Sequence, residues 1–194
     1  MKKTVIYSLL VNTILFLILL LFTHPIYNTD EDVYVAYFLG GGFGSPTALL
    51  HYNHLMHPVL GLALKALTEL TQSINWYTAS LFAAHFLACC IIFNQVLNAR
   101  SRITATVAYI TVFVLIEAKF LLVPNFSNTS VICSCAAAGL MFNSRSFIPV
   151  ILMLALGSLF RIHPLIPVAC LTLLLVFTSF PYRRSLSMLG ATIL

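Results

Sequence analysis

Long apolar runs separated by short polar links dominate this 194-residue sequence. The first clear run is Thr4–Phe22, and later runs follow at 76–96, 103–123, 129–142, 147–160 and 164–180. A helix that crosses a bilayer needs roughly 20 mostly apolar residues, and fewer suffice where the bilayer thins. Only 8% of the residues are charged, against about 25% in a soluble domain. The pattern predicts an all-α, polytopic transmembrane bundle of about six spans. It excludes a soluble domain, a disordered chain and a nucleic-acid-binding module.

The two ends of the sequence each require a choice. The first run follows Met1-Lys2-Lys3 and is either an uncleaved membrane helix or a signal peptide. We favour the uncleaved helix because the residues after the run lack a small-x-small cleavage site. A last apolar stretch, 186–194, starts another helix that the chain does not complete. We therefore expect residues 1–194 to form a single membrane domain that is the N-terminal part of a longer protein.

The segment Val59–Leu70 has apolar residues along one helical face and carries Lys65 and Glu69 on another. It can lie in the membrane interface or form half of a tight hairpin with the run at 76–96. With an interfacial segment and a cytoplasmic N-terminus, seven of the ten basic residues fall on the cytoplasmic side, as the positive-inside rule requires. These are Lys2, Lys3, Arg100, Arg102, Arg145, Arg183 and Arg184. We therefore expect an interfacial helix, and residues 23–75 form a long outer loop.

The outer loop opens on three consecutive carboxylates, Asp30, Glu31 and Asp32, followed by an aromatic-rich stretch that predicts a short helix on the membrane surface. Adjacent carboxylates raise one another's proton affinity, which suits a general base for a hydroxyl group or a site for a divalent cation. The alternative is a solvated loop in which Thr29 or Asp30 caps the next helix. All three are candidate catalytic residues, and Asp30 and Asp32 are candidate metal ligands.

Farther along the loop, His51, His54 and His57 follow a glycine-rich stretch at 40–46. That stretch lacks the lysine and Ser/Thr of a P-loop, so it predicts turned or flexible backbone and not a phosphate cradle. Three histidines near three carboxylates can form a metal site, but the spacing is not HExxH and Pro58 disfavours a helical His57. We favour hydrogen bonding of His54 and His57 to a sugar or phosphate group, with packing at the interface as the alternative.

Charged residues also occur within or between the later runs, at Glu117, Lys119 and Arg161. Charges at such depths are costly and usually face a cavity or a partner. The predicted topology puts them toward the outer side. Arg161 can bind a phosphate group through two hydrogen bonds or snorkel to lipid headgroups, and His163 beside it is a further candidate for substrate binding. Glu117 and Lys119 are also candidates, with a mutual or interhelical ion pair as the alternative.

Short motifs occur in a fixed order along the chain. Glu31-Asp32-Val33 precedes the glycine-containing loop, Ile74–Tyr77 enters a span, and Phe126–Thr129 and Arg161 before Pro164 follow. With one N-terminal helix and a long outer loop, they resemble the GT-C superfamily of membrane glycosyltransferases, and more narrowly a group of its bacterial multi-spanning members. The resemblance touches most of the chain.

The resemblance implies sugar transfer from a polyprenyl-phosphate donor to an acceptor at the outer face of a bacterial inner membrane. A carboxylate among Asp30, Glu31 and Asp32 would act as base or metal ligand, with Mg²⁺ or Mn²⁺ as the metal, and Arg161 would bind the lipid phosphate. The expected partners are membrane lipids and the polyprenyl-phosphate donor, with no nucleic acid.

From the residues alone, other classes of function stay open. One is a transporter or flippase-like protein for a lipid-linked or small anionic solute, in which internal repeats and broken helices are typical. The sequence has no convincing repeat, although Pro149, Pro164 and Pro167 can interrupt helices. The other is a non-catalytic membrane scaffold whose acidic loop binds a partner.

Overall fold

The computed structural model describes residues 2–27, 30–39, 56–143 and 147–179. Its helices are α1 (Lys2–Phe22), α2 (Asp30–Leu39), α3 (Pro58–Leu70), α4 (Trp76–Ala99), α5 (Arg102–Val112), α6 (Ala118–Leu122), α7 (Phe126–Asn143), α8 (Ile148–Phe160) and α9 (Leu165–Ser179). A π-helical turn, Phe113–Glu117, joins α5 to α6, so that Arg102–Leu122 is one continuous helix. The all-α prediction is confirmed for the described residues.

Among these residues, three helices are long and apolar enough to cross a membrane: Lys3–Phe22, Trp76–Ala99 and Arg102–Leu122. Helices α7, α8 and α9 are apolar but shorter. Helix α7 begins earlier than the predicted 129 because Oδ1 of Asn125 accepts hydrogen bonds from the N–H groups of Ser127 at 2.6 Å and Asn128 at 3.4 Å, as an N-cap does. The helix predicted at 186–194 lies outside the described residues.

The outward surface of α1 is apolar, whereas its face toward the bundle carries polar side chains beside apolar ones such as Phe16. Leu10 and Leu21 are 56% and 76% exposed, whereas Ser8 and Asn12 are buried. Oγ of Ser8 donates to the carbonyl of Cys90 at 2.7 Å, and Oδ1 of Asn12 accepts from the hydroxyl of Tyr109 at 2.5 Å. Polar groups that pair inside a bundle with an apolar exterior are consistent with a membrane protein.

Packing is organised around α4 and α7. Helix α7 packs against α4, α8 and α9, and α4 also packs against α1 and α5. Leu81, Ala136 and Val150 belong to one buried cluster, and Phe16 and Phe93 belong to a second. These two clusters hold the helices together as a bundle, and α2 and α3 pack against one end of it.

Helices α2 and α3 lie at one end of this bundle. Helix α2 contacts α3 and α4, and α3 also contacts α4 and α8. The backbone N–H of Ile26 donates to the carbonyl of Leu122 at 2.9 Å, and that of His57 donates to the carbonyl of Leu159 at 2.8 Å. Helix α3 buries Leu64 on one face, as its amphipathic pattern predicts. At this end α1, α6 and α8 finish and α4 and α7 begin, so the acidic residues of α2 lie over the ends of several helices.

Candidate functional site

The carboxylate of Asp32 joins α2 to α4 and α7. Its side chain is fully buried. Oδ1 accepts hydrogen bonds from the hydroxyl of Tyr77 and, at 3.3 Å, from the N–H of Phe126, while Oδ2 accepts from Nδ2 of Asn125 at 2.9 Å. A buried carboxylate that accepts several hydrogen bonds is well stabilised by them. Asp32 therefore anchors α2 to the end of the bundle.

Glu31, one position earlier on α2, has a different neighbour. Its Oε2 lies 3.5 Å from Nη1 of Arg161, and its side chain is 49% exposed. The same Nη1 donates a hydrogen bond to Oγ of Ser127 at 2.8 Å. Ion pairs this exposed contribute about 0–1 kcal/mol to stability. The pair is therefore a minor contribution to the fold, and both charged groups are accessible to a ligand.

Arg161 is held at the junction after α8 by its backbone. Its N–H donates to the carbonyl of Gly157 at 3.1 Å, and its own carbonyl accepts from Oγ of Ser130 at 2.5 Å. The guanidinium carbon lies 4.9 Å from the centre of the Phe126 ring. Because Phe126 also donates to Asp32, the first turn of α7 positions both the anchor of α2 and the guanidinium.

A second polar cluster lies inside the bundle. Nδ1 of His85 on α4 is 2.5 Å from Oε1 of Glu117, and Nε2 of His85 is 3.0 Å from Oγ1 of Thr129 on α7. All three side chains are buried. Glu117 ends the π-helical turn, and such turns are frequent at functional sites. Oε2 of Glu117 is buried and has no hydrogen-bond partner among the described residues.

Each ring nitrogen of His85 has an oxygen partner, Oε1 of Glu117 at Nδ1 and Oγ1 of Thr129 at Nε2. Oγ1 of Thr129 also lies 2.9 Å from the carbonyl oxygen of Asn125. Because the side chain of Asn125 donates to Asp32, this residue links the His85–Glu117 cluster to the anchor of α2.

Tyr27 fastens the link between α1 and α2 to the start of α4. Its hydroxyl contacts Oγ1 of Thr78 and accepts a hydrogen bond from Nδ2 of Asn75 at 3.2 Å. Burial raises the pKa of the Tyr27 hydroxyl. Tyr27 therefore stays protonated at neutral pH and holds the link as a neutral group.

Other predicted site residues lie apart from these contacts. His57 is exposed and caps α3, with Nδ1 accepting from the N–H of Val59 at 3.2 Å, and His163 and Lys119 are also exposed. Glu117 contacts His85 on another helix and not Lys119, which agrees with the interhelical alternative. Asp30 is the first residue of α2, and its side chain and the whole of His54 lie outside the described residues.

The predicted magnesium or manganese ligands are Asp30, whose side chain lies outside the described residues, and Asp32. None of the described His, Cys, Asp and Glu side chains form a group of three or more that could hold a metal ion. The oxygens of Asp32 already accept hydrogen bonds from protein donors. Metal binding by Asp30 therefore stays a prediction, and the described geometry of Asp32 is that of an anchor.

Sequence reasoning missed several residues of these clusters, above all His85, Tyr77 and Asn125. His85 had a usable signal, because an ionisable residue in the middle of an apolar run is uncommon and costly. Tyr77 was noted only as part of the motif that enters a span, and Asn125 lay in a link between two runs. Their contacts with Asp32 join segments far apart in the chain, and no local pattern encodes such contacts.

Comparisons with protein-family models, curated proteins and solved structures give no significant match to this chain. The resemblance to the GT-C superfamily therefore stays a prediction from the sequence.

Proposed function

We propose that the chain is a glycosyltransferase-like integral membrane protein that transfers a sugar from a polyprenyl-phosphate donor to an acceptor hydroxyl at the outer membrane face. In this proposal the three long apolar helices and the shorter α7, α8 and α9 are six spans of a bacterial inner membrane. The N-terminus is cytoplasmic, and α2 and α3 belong to the outer loop. The charge distribution supports the orientation. The guanidinium of Arg102 lies 3.8 Å from the ring centre of Tyr7 near the start of α1, whereas Glu31 follows the end of α1.

The observation that carries the proposal is the pairing of Glu31 with Arg161 at 3.5 Å, on a surface that solvent reaches. Transfer from a phosphate-linked sugar needs a carboxylate to accept the proton of the acceptor hydroxyl and a cation to stabilise the leaving phosphate. Guanidinium groups bind phosphate through paired hydrogen bonds. Glu31 and Arg161 supply both chemistries side by side, and Asp32 fixes α2, which carries Glu31, to the end of the bundle.

In the proposed step, the acceptor oxygen forms a bond to the anomeric carbon while its proton passes to Glu31. The bond between the anomeric carbon and the phosphate oxygen breaks, and polyprenyl phosphate leaves with the electron pair. Arg161 stabilises the negative charge that develops on this phosphate. Attack from the face opposite the leaving group inverts the configuration of the sugar.

The test is transfer of radiolabelled sugar from a panel of short-chain polyprenyl-phosphate hexoses, measured with the protein in nanodiscs. Glu31→Gln is expected to lower the initial rate about 100-fold or more, as the loss of a general base does. Glu69→Gln is the matched control, because Glu69 lies on the exposed face of α3 and pairs only with Lys65 at 3.9 Å among the described residues. Transfer that is undiminished in both Glu31→Gln and Asp32→Asn, or no transfer by the unmodified protein, contradicts the proposal.

A second candidate function, proton-coupled transport of a small anionic solute, is favoured by the buried His85–Glu117 pair. Carboxylate and histidine chains inside membrane bundles are typical of proton relays. Oε2 of Glu117 is buried and has no hydrogen-bond partner among the described residues. A buried carboxylate oxygen without a partner, beside a histidine, suits a group that exchanges protons during transport.

This candidate is tested in liposomes that contain a pH-sensitive dye. An imposed gradient of inorganic phosphate is expected to drive a change of internal pH with the unmodified protein and not with Glu117→Gln. Lys119→Gln is the control, because Lys119 is exposed on the same continuous helix. A pH change that equals that of protein-free liposomes contradicts the candidate.

A further inference from the structure

A cavity of about 250 Å³ lies between α2, α3 and the first turn of α4. Leu39 lines it from α2, Thr68 from α3, and residues 72–77 from the link into α4. It is separate from the Glu31–Arg161 pair, neither of which lines it. Pockets for drug-sized ligands measure about 300–1,000 Å³, so this cavity suits a smaller ligand.

The described lining residues are polar, aromatic and aliphatic, and none of them is charged. Gln72 and Ser73 are exposed, and neither makes a side-chain hydrogen bond to another described residue. Their amide and hydroxyl groups offer donors and acceptors to a ligand. Because no charged side chain is present among the described lining residues, this lining suits a neutral ligand with several hydroxyl groups better than a phosphate group or a cation.

Trp76 gives this lining an aromatic wall in a fixed position. Its Nε1–H donates to the carbonyl of Thr71 at 3.1 Å, which holds the indole ring against the end of α3. An indole presents a large apolar face, and the C–H face of a pyranose is the apolar side of an otherwise polar molecule. Tyr77, the next residue, lines the cavity and donates to Asp32.

We infer that this cavity is a binding site for a neutral pyranose, with Trp76 against its apolar face and Gln72 and Ser73 bonded to its hydroxyl groups. The inference rests on the proposed function and deepens it. Tyr77, which lines the cavity, donates a hydrogen bond to Asp32, and Asp32 follows the proposed catalytic base on α2. The binding itself requires no transfer reaction. It can therefore be measured without a donor or an acceptor.

Trp76 is the one tryptophan of the chain, so its fluorescence reports on this cavity alone. The protein in phosphatidylcholine nanodiscs is titrated with glucose, galactose, mannose and N-acetylglucosamine, and with glycerol and inorganic phosphate as comparison solutes. At least one pyranose is expected to change the fluorescence saturably. Gln72→Ala is expected to weaken its apparent affinity about three- to tenfold, the loss of one or two neutral hydrogen bonds.

Gln95→Ala is the matched control, because Gln95 lies on α4 away from the cavity and its variant should titrate as the unmodified protein does. Ser73→Ala is a second variant at an exposed position, so that a folding defect in one variant leaves the test intact. No saturable response to any pyranose, or an equal response to glycerol, overturns the inference, and so does an unchanged affinity in both cavity variants.

The two proposals fail in different ways. Sugar binding at Trp76 without any transfer activity contradicts the proposed function and supports the cavity. Transfer activity that depends on Glu31, without a response of Trp76 to free sugars, contradicts the cavity and supports the proposed function.

Discussion

Nδ1 of His85 and Oε1 of Glu117 lie 2.5 Å apart between α4 and the π-helical turn, with both side chains buried. Within this turn Glu117 is buried in the bundle, whereas Val114, Leu115 and Ile116 are exposed. The His85–Glu117 contact therefore connects the π-helical turn to α4 inside the bundle.

Loss of this contact is expected to destabilise the bundle. Hydrogen bonds between membrane helices average about 0.6 kcal/mol in double-mutant cycles and reach about 1.7 kcal/mol. Because Thr129 fixes the other ring nitrogen, we expect the coupling energy of His85→Ala and Glu117→Ala to be near the upper value. Unfolding by dodecyl sulfate, followed by helical circular dichroism, measures it. Lys119→Ala, at an exposed position, should change the free energy of unfolding by less than about 0.5 kcal/mol. Additive single variants would disprove the coupling.

Asp32 and Glu31 are adjacent carboxylates whose loss is expected to lower stability by unequal amounts. Asp32→Asn replaces one carboxylate oxygen with an amide NH2 group, which then faces either the hydroxyl of Tyr77 or the side-chain amide of Asn125, and is expected to cost about 2–4 kcal/mol. Glu31→Gln breaks only a half-exposed ion pair and is expected to cost less than about 1 kcal/mol. Hydrogen exchange of the α2 amides, together with the unfolding transition, checks the difference. Equal effects of the two substitutions would mean that Asp32 is not the anchor.

The helices were predictable because their signals are local. Apolar runs and capping residues such as Ser101 and Asn75 lie within a few residues of the elements they define. The role of Asp32 was not predictable, because its partners Tyr77 and Asn125 are distant in sequence and come close only when α4 and α7 pack. Three neighbouring carboxylates look alike in a sequence, and burial alone distinguishes the anchor from the exposed group.

Arg161 is expected to react with phenylglyoxal and to be protected by a polyprenyl phosphate. Its side chain is 29% exposed, and phosphate binding would replace the weak contact with Glu31 by charge-assisted hydrogen bonds. Mass spectrometry of the modified peptides measures the protection. Arg102 is the control, because its guanidinium lies over Tyr7 at the opposite end of α1 and should be modified equally with and without the lipid. Equal modification of Arg161 in both conditions would exclude phosphate binding there.

The proposed orientation in the membrane predicts opposite labelling of two exposed positions. Gln72→Cys, before α4, should react with a membrane-impermeant maleimide in intact cells, and Asn98→Cys, at the other end of α4, should react only after the cells are opened. The unsubstituted chain gives the background from its native thiols. Labelling of Asn98→Cys in intact cells, with Gln72→Cys unlabelled, would show that the orientation is the opposite of the proposed one.

Replacement of Gly157 by alanine is expected to destabilise the protein, whereas replacement of Gly139 by alanine is expected to be tolerated. A Cβ atom at Gly157 would lie 3.2 Å from Cβ of Cys133 and 3.3 Å from the carbonyl oxygen of Ser130, whereas one at Gly139 would meet only Cγ of Gln95 at 3.7 Å and its Cβ at 4.0 Å. Small residues let membrane helices approach closely, and overpacking of such a contact costs about 1–3 kcal/mol. Gly139→Ala should instead stabilise α7 by up to about 1 kcal/mol through helix propensity. Unfolding in dodecyl sulfate compares the two variants.

The Gly157→Ala substitution should also affect Arg161, because Ser130 donates a hydrogen bond to the carbonyl of Arg161. We expect it to weaken the protection of Arg161 by a polyprenyl phosphate. Unchanged protection would mean that the packing of α7 against α8 does not position Arg161 for phosphate binding.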